Sequence, residues 1–128
     1  MQKIINVGCG KVCYPCAENI DIDIRLEKAV YGDVHDLKYQ KGTIDVVTMI
    51  SPYLYYPLRS DAARVLKPGG LLVVVGSTRN RYFKSIWKAS SNELEGFGFE
   101  LISKSNPPYP DLQESFISDG TACHEYIP

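Results

Sequence analysis

An α/β fold with a doubly wound, mostly parallel sheet is predicted by three features of the sequence. Lys3 to Asp23 runs as a strand, a glycine turn, a short loop and a second strand ending in acid. Leu71 to Val75 is an unbroken apolar run, which suits a central parallel strand covered on both faces. Along the rest of the chain, apolar β-type runs alternate with helical or loop stretches.

The elements follow in order. Ile4-Ile5-Asn6-Val7 is the first strand, cut off by Gly8-Cys9-Gly10, where the backbone bends sharply and no side chain separates it from a ligand. Asn19 to Asp23 is the second strand and brings Asp21 or Asp23 to the same edge. Ligands of open α/β sheets sit at that edge, by the carboxyl ends of the strands. Ala29 to Gly32 is a short third strand, and the β-branched run Ile44 to Ile50 is the fourth. Ser60 or Asp61 caps a helix to about Leu66, which Lys67-Pro68-Gly69-Gly70 stops. Arg81 to Lys88 fits a helix with Tyr82, Phe83, Ile86 and Trp87 inward. Ser90 and Glu93 have the spacing of a capping box for a short helical turn ending at Gly96. Phe99 to Ser103 and Ala122 to Ile127 form a last pair of strands.

The chain has 128 residues, which predicts one domain with a modest core and no separate substrate domain. Its formal charge of −1 creates no general attraction to nucleic acid or anionic membrane. No apolar run approaches the ~20 residues that span a bilayer. Met1 stands almost against the first strand, which predicts no signal peptide and a cytoplasmic protein. Cys9, Cys13, Cys16 and Cys123 are then expected as reduced thiols.

Four segments together resemble the class I S-adenosylmethionine-dependent methyltransferases, over nearly the whole chain. They are Asn6 to Gly10, Asn19 to Asp23, Gly32 to Leu37, and the helix, turn and strand of Ala62 to Gly76. The last is the most specific of the four. The resemblance implies a Rossmann-like methyltransferase fold binding S-adenosylmethionine, with S-adenosylhomocysteine as product. It puts Gly8, Cys9 and Gly10 under the methionine part, Asp21 on the ribose hydroxyls, and Asp33 with the Val34 backbone at the adenine. Ile50 and Ser51 would border the reacting methyl group. The likeness has gaps: the third loop glycine is missing, and the first connection looks non-helical.

The residues themselves favour this cofactor over a dinucleotide. A pyrophosphate needs a glycine loop opening onto a helix N-terminus. Here Gly10 is followed by a Pro15-containing stretch with little room for a helix. Asp21 also follows Gly10 by about 11 residues, short of the ~20 of a dinucleotide fingerprint.

Other motifs carry two readings each. Cys9, Cys13 and Cys16 have the spacing of an iron–sulfur loop, and with Cys123-His124 could hold zinc, but ordinary thiols and no metal are expected. Asn106-Pro107-Pro108-Tyr109 spells an amine-holding motif in the wrong place, so a proline-rich hairpin loop is expected. Ser51-Pro52-Tyr53 has the right place but lacks one proline. His35 is a proton acceptor or an exposed loop histidine near the adenine. Tyr53, Tyr55 and Tyr56 pack over the pocket mouth or stack on substrate. Arg79, Arg81, Lys84 and Lys88 with Tyr82, Phe83 and Trp87 resemble an RNA-binding patch, or are the two sides of an amphipathic helix.

Transfer of an activated methyl needs positioning and exclusion of water more than acid–base chemistry. Ser51, Tyr53 and His35 are the catalytic candidates, and the methyl acceptor is unidentified. Alternatives are a cofactor-binding partner subunit without activity, and an interaction module. The expected helices all fall in the second half of the chain, leaving one sheet face thinly covered. A homodimer or a partner chain is expected on that face or at Tyr53 to Tyr56.

Overall fold

The computed structural model describes residues 2–9, 17–23, 25, 29–76, 79–104 and 124–127. Seven strands form a single sheet: β1 (Ile4–Val7), β2 (Glu18–Asp21), β3 (Val30–Tyr31), β4 (Ile44–Ile50), β5 (Leu66–Val75), β6 (Glu100–Lys104) and β7 (His124–Ile127). Their order is β3-β2-β1-β4-β5-β7-β6. The first five are parallel, and β7 runs antiparallel to both β5 and β6. The chain is therefore a doubly wound, mostly parallel α/β sheet, with its last two strands paired as expected.

Between β4 and β5 lie a 3₁₀ helix (Pro57–Arg59) and α1 (Ala62–Val65); α2 (Arg81–Trp87) and α3 (Ser91–Gly96) precede β6. Asn80 caps α2 by accepting from the Tyr82 and Phe83 N–H groups, and Ser90 caps α3 by accepting from Glu93 N–H. Buried residues of all three helices belong to one cluster with Ile5, Val7, Ile20, Val47, Met49, Leu72 and Val74. That cluster lies on one face of the sheet. Val46, Val73 and Val75 form a second, smaller cluster on the other face, flanked by Ile4, Ile50 and Leu71. No described helix contributes to it, so the helices sit on one face, as the sequence suggested.

Two expectations need correction, whereas α1 follows Asp61 and gives way to extended backbone at Leu66, as expected. The second strand ends at Asp21, so Asp23 lies beyond it. Lys67 to Gly70 does not stand outside the strand but bulges within β5. Ile44 pairs with Leu66 while Val46 pairs with Leu71. Gly69 takes a φ of 79°, and a Cβ on Gly70 would lie 3.0 Å from the Asp45 carbonyl oxygen. The two glycines let the bulge turn and pack against β4.

Candidate functional site

The order of the sheet reverses between β1 and β4, since the chain leaves them towards opposite edges. The carboxyl ends of these strands open the crevice where doubly wound folds bind ligands. Gly8 and Cys9 follow β1, Asp21 ends β2, Asp33, Val34 and His35 follow β3, and Ser51 to Tyr53 follow β4. All these expected site residues thus share one edge of the sheet. Gly10 lies outside the described residues, as do Cys13, Cys16, Cys123 and Asn106 to Tyr109.

The glycine turn is folded onto the end of β2. Gly8 and Cys9 N–H both donate to the Ile20 carbonyl, at 2.8 and 3.0 Å. These two amides are therefore engaged and offer no cradle for a phosphate. Gly8 has a φ of 66°, and a Cβ there would lie 3.0 Å from Cε1 of Tyr55. Its missing side chain makes room for the Tyr55 ring as well as for a ligand. Tyr55 is buried, and its hydroxyl lies 3.4 Å from the Val7 carbonyl oxygen. Burial, then the Asp21 charge, push its phenol well above the ordinary tyrosine range, so it stays a neutral donor. Nothing in the sequence separates Tyr55 from Tyr53 and Tyr56; the contact with Gly8 does.

Of the two acids after β2, Asp23 is held by Arg25, whose Nε and Nη2 donate at 2.9 Å, and its carboxyl is pulled down to about 2. Asp21 keeps the strand-end position, with Oδ1 accepting from Asp23 N–H at 2.9 Å. Asp33 accepts from His35 N–H at 2.9 Å, and His35 Nδ1 lies 3.2 Å from the same oxygen. Val34 gives its carbonyl to Asp61 N–H at 2.9 Å.

A clamp from α1 holds this turn. Asp61 accepts from Leu37 N–H and from Arg64, while Arg64 donates to the Leu37 and Tyr39 carbonyls at 2.7 and 2.8 Å. The Arg64 guanidinium keeps the Asp61 carboxyl below its usual range. His35 belongs to the β3 end, three strand positions or ~14 Å from β4. It therefore stands at the β3 end of the edge, apart from Ser51 and Tyr53.

After β4 the backbone is strained. Ser51 and Leu54 have φ of 50° and 63°, which cost a non-glycine residue ~1–2 kcal/mol each. Ser51 N–H donates to the Val75 carbonyl at 2.7 Å, and Asn80 Nδ2 donates to the Pro52 carbonyl at 2.7 Å. Asn80 thus ties the β4 loop to the start of α2, a link that the sequence analysis missed. The loop presents Tyr53, which is 70% exposed, and its ring meets Tyr82 edge-on at 5.9 Å. Tyr56 lies 5.1 Å from the same Tyr82 ring.

On α2 itself, Phe83 is buried and stacks on Trp87 at 5.7 Å, while Lys84 and Lys88 face solvent. It is an amphipathic helix, and Phe83 belongs to the core. Cys9 is buried. Among the described residues no three His, Cys, Asp or Glu side chains gather where a metal could bind, and no helix is long and apolar enough to cross a membrane.

No family profile and no curated protein matches the chain by sequence. Solved structures do match it. One is a S-adenosylmethionine-dependent methyltransferase from Aquifex aeolicus, 16% identical, with a TM-score of 0.55 over 80% of this chain and 76% of that one. A possible histamine N-methyltransferase from Thermotoga maritima is 18% identical, with a TM-score of 0.55 over 99% of this chain and 75% of its own. A putative methyltransferase of Haloferax volcanii, solved in complex with the Trm112 methyltransferase activator, is 14% identical with a TM-score of 0.55, over 89% and 71%. The chain has the fold of class I S-adenosylmethionine-dependent methyltransferases.

Proposed function

We propose that this chain forms one domain that binds S-adenosylmethionine across the carboxyl ends of β1 to β4 and transfers its methyl group to an acceptor still to be identified. The observation that carries this reading is the glycine turn with its two amides engaged, beside Asp21 and the clamped Asp33–Val34 turn. Such an edge suits a cofactor without phosphates. In this reading Gly8, Cys9 and Gly10 lie under the methionine part, and Asp21 accepts from the ribose hydroxyls. Asp33 and the Val34 N–H meet the adenine, while Ile50 and Ser51 border the methyl group. When bound, the cofactor supplies a methyl already activated by its sulfonium. The protein's task is then to align the acceptor and exclude water. Ser51 and Tyr53 are better placed for that than His35.

The test is thermal unfolding with S-adenosylmethionine or S-adenosylhomocysteine. Either should raise the melting temperature, since ~100-fold saturation adds about 2.7 kcal/mol. Asp21→Ala should remove the shift. A folded protein that shows no shift with either ligand at millimolar concentration would refute the cofactor assignment.

A second reading makes the chain a cofactor-binding subunit that acts with a partner. All described helices pack on one sheet face, and the Haloferax volcanii neighbour was solved with an activator. The sequence points to a homodimer or complex through the other face or Tyr53 to Tyr56. Since Asn6, Thr48, Val73 and Val75 on that face are already buried within the chain, the expected contact is Tyr53 to Tyr56. A clean monomer by light scattering at high concentration, active alone in a methyl-transfer screen, would dismiss it.

A further inference from the structure

We propose that Tyr53, Tyr56, Tyr82 and Arg81 form a recognition platform for a small molecule that joins a flat aromatic or heteroaromatic ring to an anionic group. Calling that molecule the methyl acceptor rests on the reading above; the ring-and-anion recognition stands on its own geometry.

The platform is built from two distant pieces of chain. Asn80 holds the Pro52 carbonyl at 2.7 Å and caps α2 through its other amide atom, which fixes Tyr53 beside Tyr82. In the edge-on pair, Tyr82 is buried and Tyr53 remains 70% exposed. A ring so exposed keeps a face for another flat partner, and Leu54 beside it is 68% exposed. Offset or edge-to-face aromatic pairs are favourable beyond the area they bury.

Arg81 supplies the charge. Its guanidinium lies 5.0 Å from the centre of the Tyr82 ring and donates to the Tyr82 hydroxyl at 2.9 Å. Arg25 and Arg64 each pair with a carboxylate. Arg81 has no such partner among the described residues. Its cation is held in place by an aromatic ring, and among the described residues its remaining donors meet no acid. A planar guanidinium offers two parallel N–H groups that match a carboxylate or a phosphate. The exposed Tyr53 ring and the cation are adjacent because Tyr82 touches both.

The experiment is a calorimetric titration of the full chain, with S-adenosylhomocysteine titrated in parallel. The probes are quinoline-2-carboxylate and uridine 5′-monophosphate; the controls are quinoline and cyclohexanecarboxylate. At least one probe should bind ~10-fold tighter than both controls, and the one that does tells carboxylate from phosphate. Arg81→Gln and Tyr53→Ala should each weaken it ~10-fold, the size of one charge-assisted contact. Arg81→Lys should recover part of the loss, and Tyr53→Leu, which keeps the bulk but not the π face, should not. Probes no better than the controls, or indifferent to these substitutions, would overturn the proposal. S-adenosylhomocysteine binding without probe binding would sink the platform alone; the reverse would sink the methyltransferase reading alone.

Discussion

On one face of the sheet, Ile5, Val47 and Leu72 lie side by side under the helices, as do Ile20, Val7, Met49 and Val74. One residue along, on the other face, the row across the same strands is Asn19, Asn6, Thr48 and Val73. Asn6 Nδ2 donates to Asn19 Oδ1 at 3.1 Å, and the Thr48 hydroxyl donates to Asn6 Oδ1 at 3.0 Å. Asn6 and Thr48 are 1% and 0% exposed. Apolar packing is non-directional and supplies most of the stability. A hydrogen-bonded row is directional and adds little net stability, yet penalises mispairing heavily. A slip of one residue would turn Asn6 and Thr48 into the apolar cluster. The helix-covered face therefore holds the sheet together, while the polar row keeps β2, β1 and β4 in the register that aligns Asp21, Gly8 and Ser51.

The largest effect should come from the helix-covered face. Phe83 is 1% exposed, so Phe83→Ala is expected to cost about 3–5 kcal/mol in denaturant unfolding. A loss below ~1 kcal/mol would mean that the helices are not the main support of the sheet.

On the polar row, Thr48→Val keeps the shape and removes the hydroxyl that serves Asn6. The expected loss is about 2 kcal/mol, the penalty for a buried acceptor left short of a donor. A neutral or stabilising result would show that the row has no part in register, and backbone amide shifts in β1 and β2 would remain unchanged.

The smallest effect separates the faces by pH. Asn19, Asn6 and Thr48 do not titrate, so the Thr48→Val loss should be the same at pH 7 and pH 4. Asp61, clamped by Arg64 on the helix side, has a carboxyl lowered from 3.8. A lowered folded pKa stabilises above the unfolded value and loses that contribution as pH falls through the folded one. Asp61→Asn should cost about 1 kcal/mol at pH 7 and progressively less below pH ~4. A constant difference across that range would show that the ionised clamp contributes nothing.

The strands, the Ser90 cap and the glycine turn were legible in the sequence because each is a local matter. A β-branched run such as Ile44 to Ile50 declares a buried strand, and Ser90 before Glu93 declares a helix start. The acid at the end of the second strand was legible too, though the residues alone left Asp21 and Asp23 open and only the family resemblance chose Asp21. That choice depends on where β2 stops and on Arg25 claiming its neighbour. Tertiary structure alone decided which face each helix covers, that Tyr55 fills the space beside Gly8, and that Asn80 holds the loop carrying Tyr53. The Tyr55–Val7 and Asn80–Pro52 hydrogen bonds that fix them join residues 48 and 28 positions apart in the chain. Periodicity records whether a side chain is buried; its partner is set by how the strands are ordered, which no local pattern encodes.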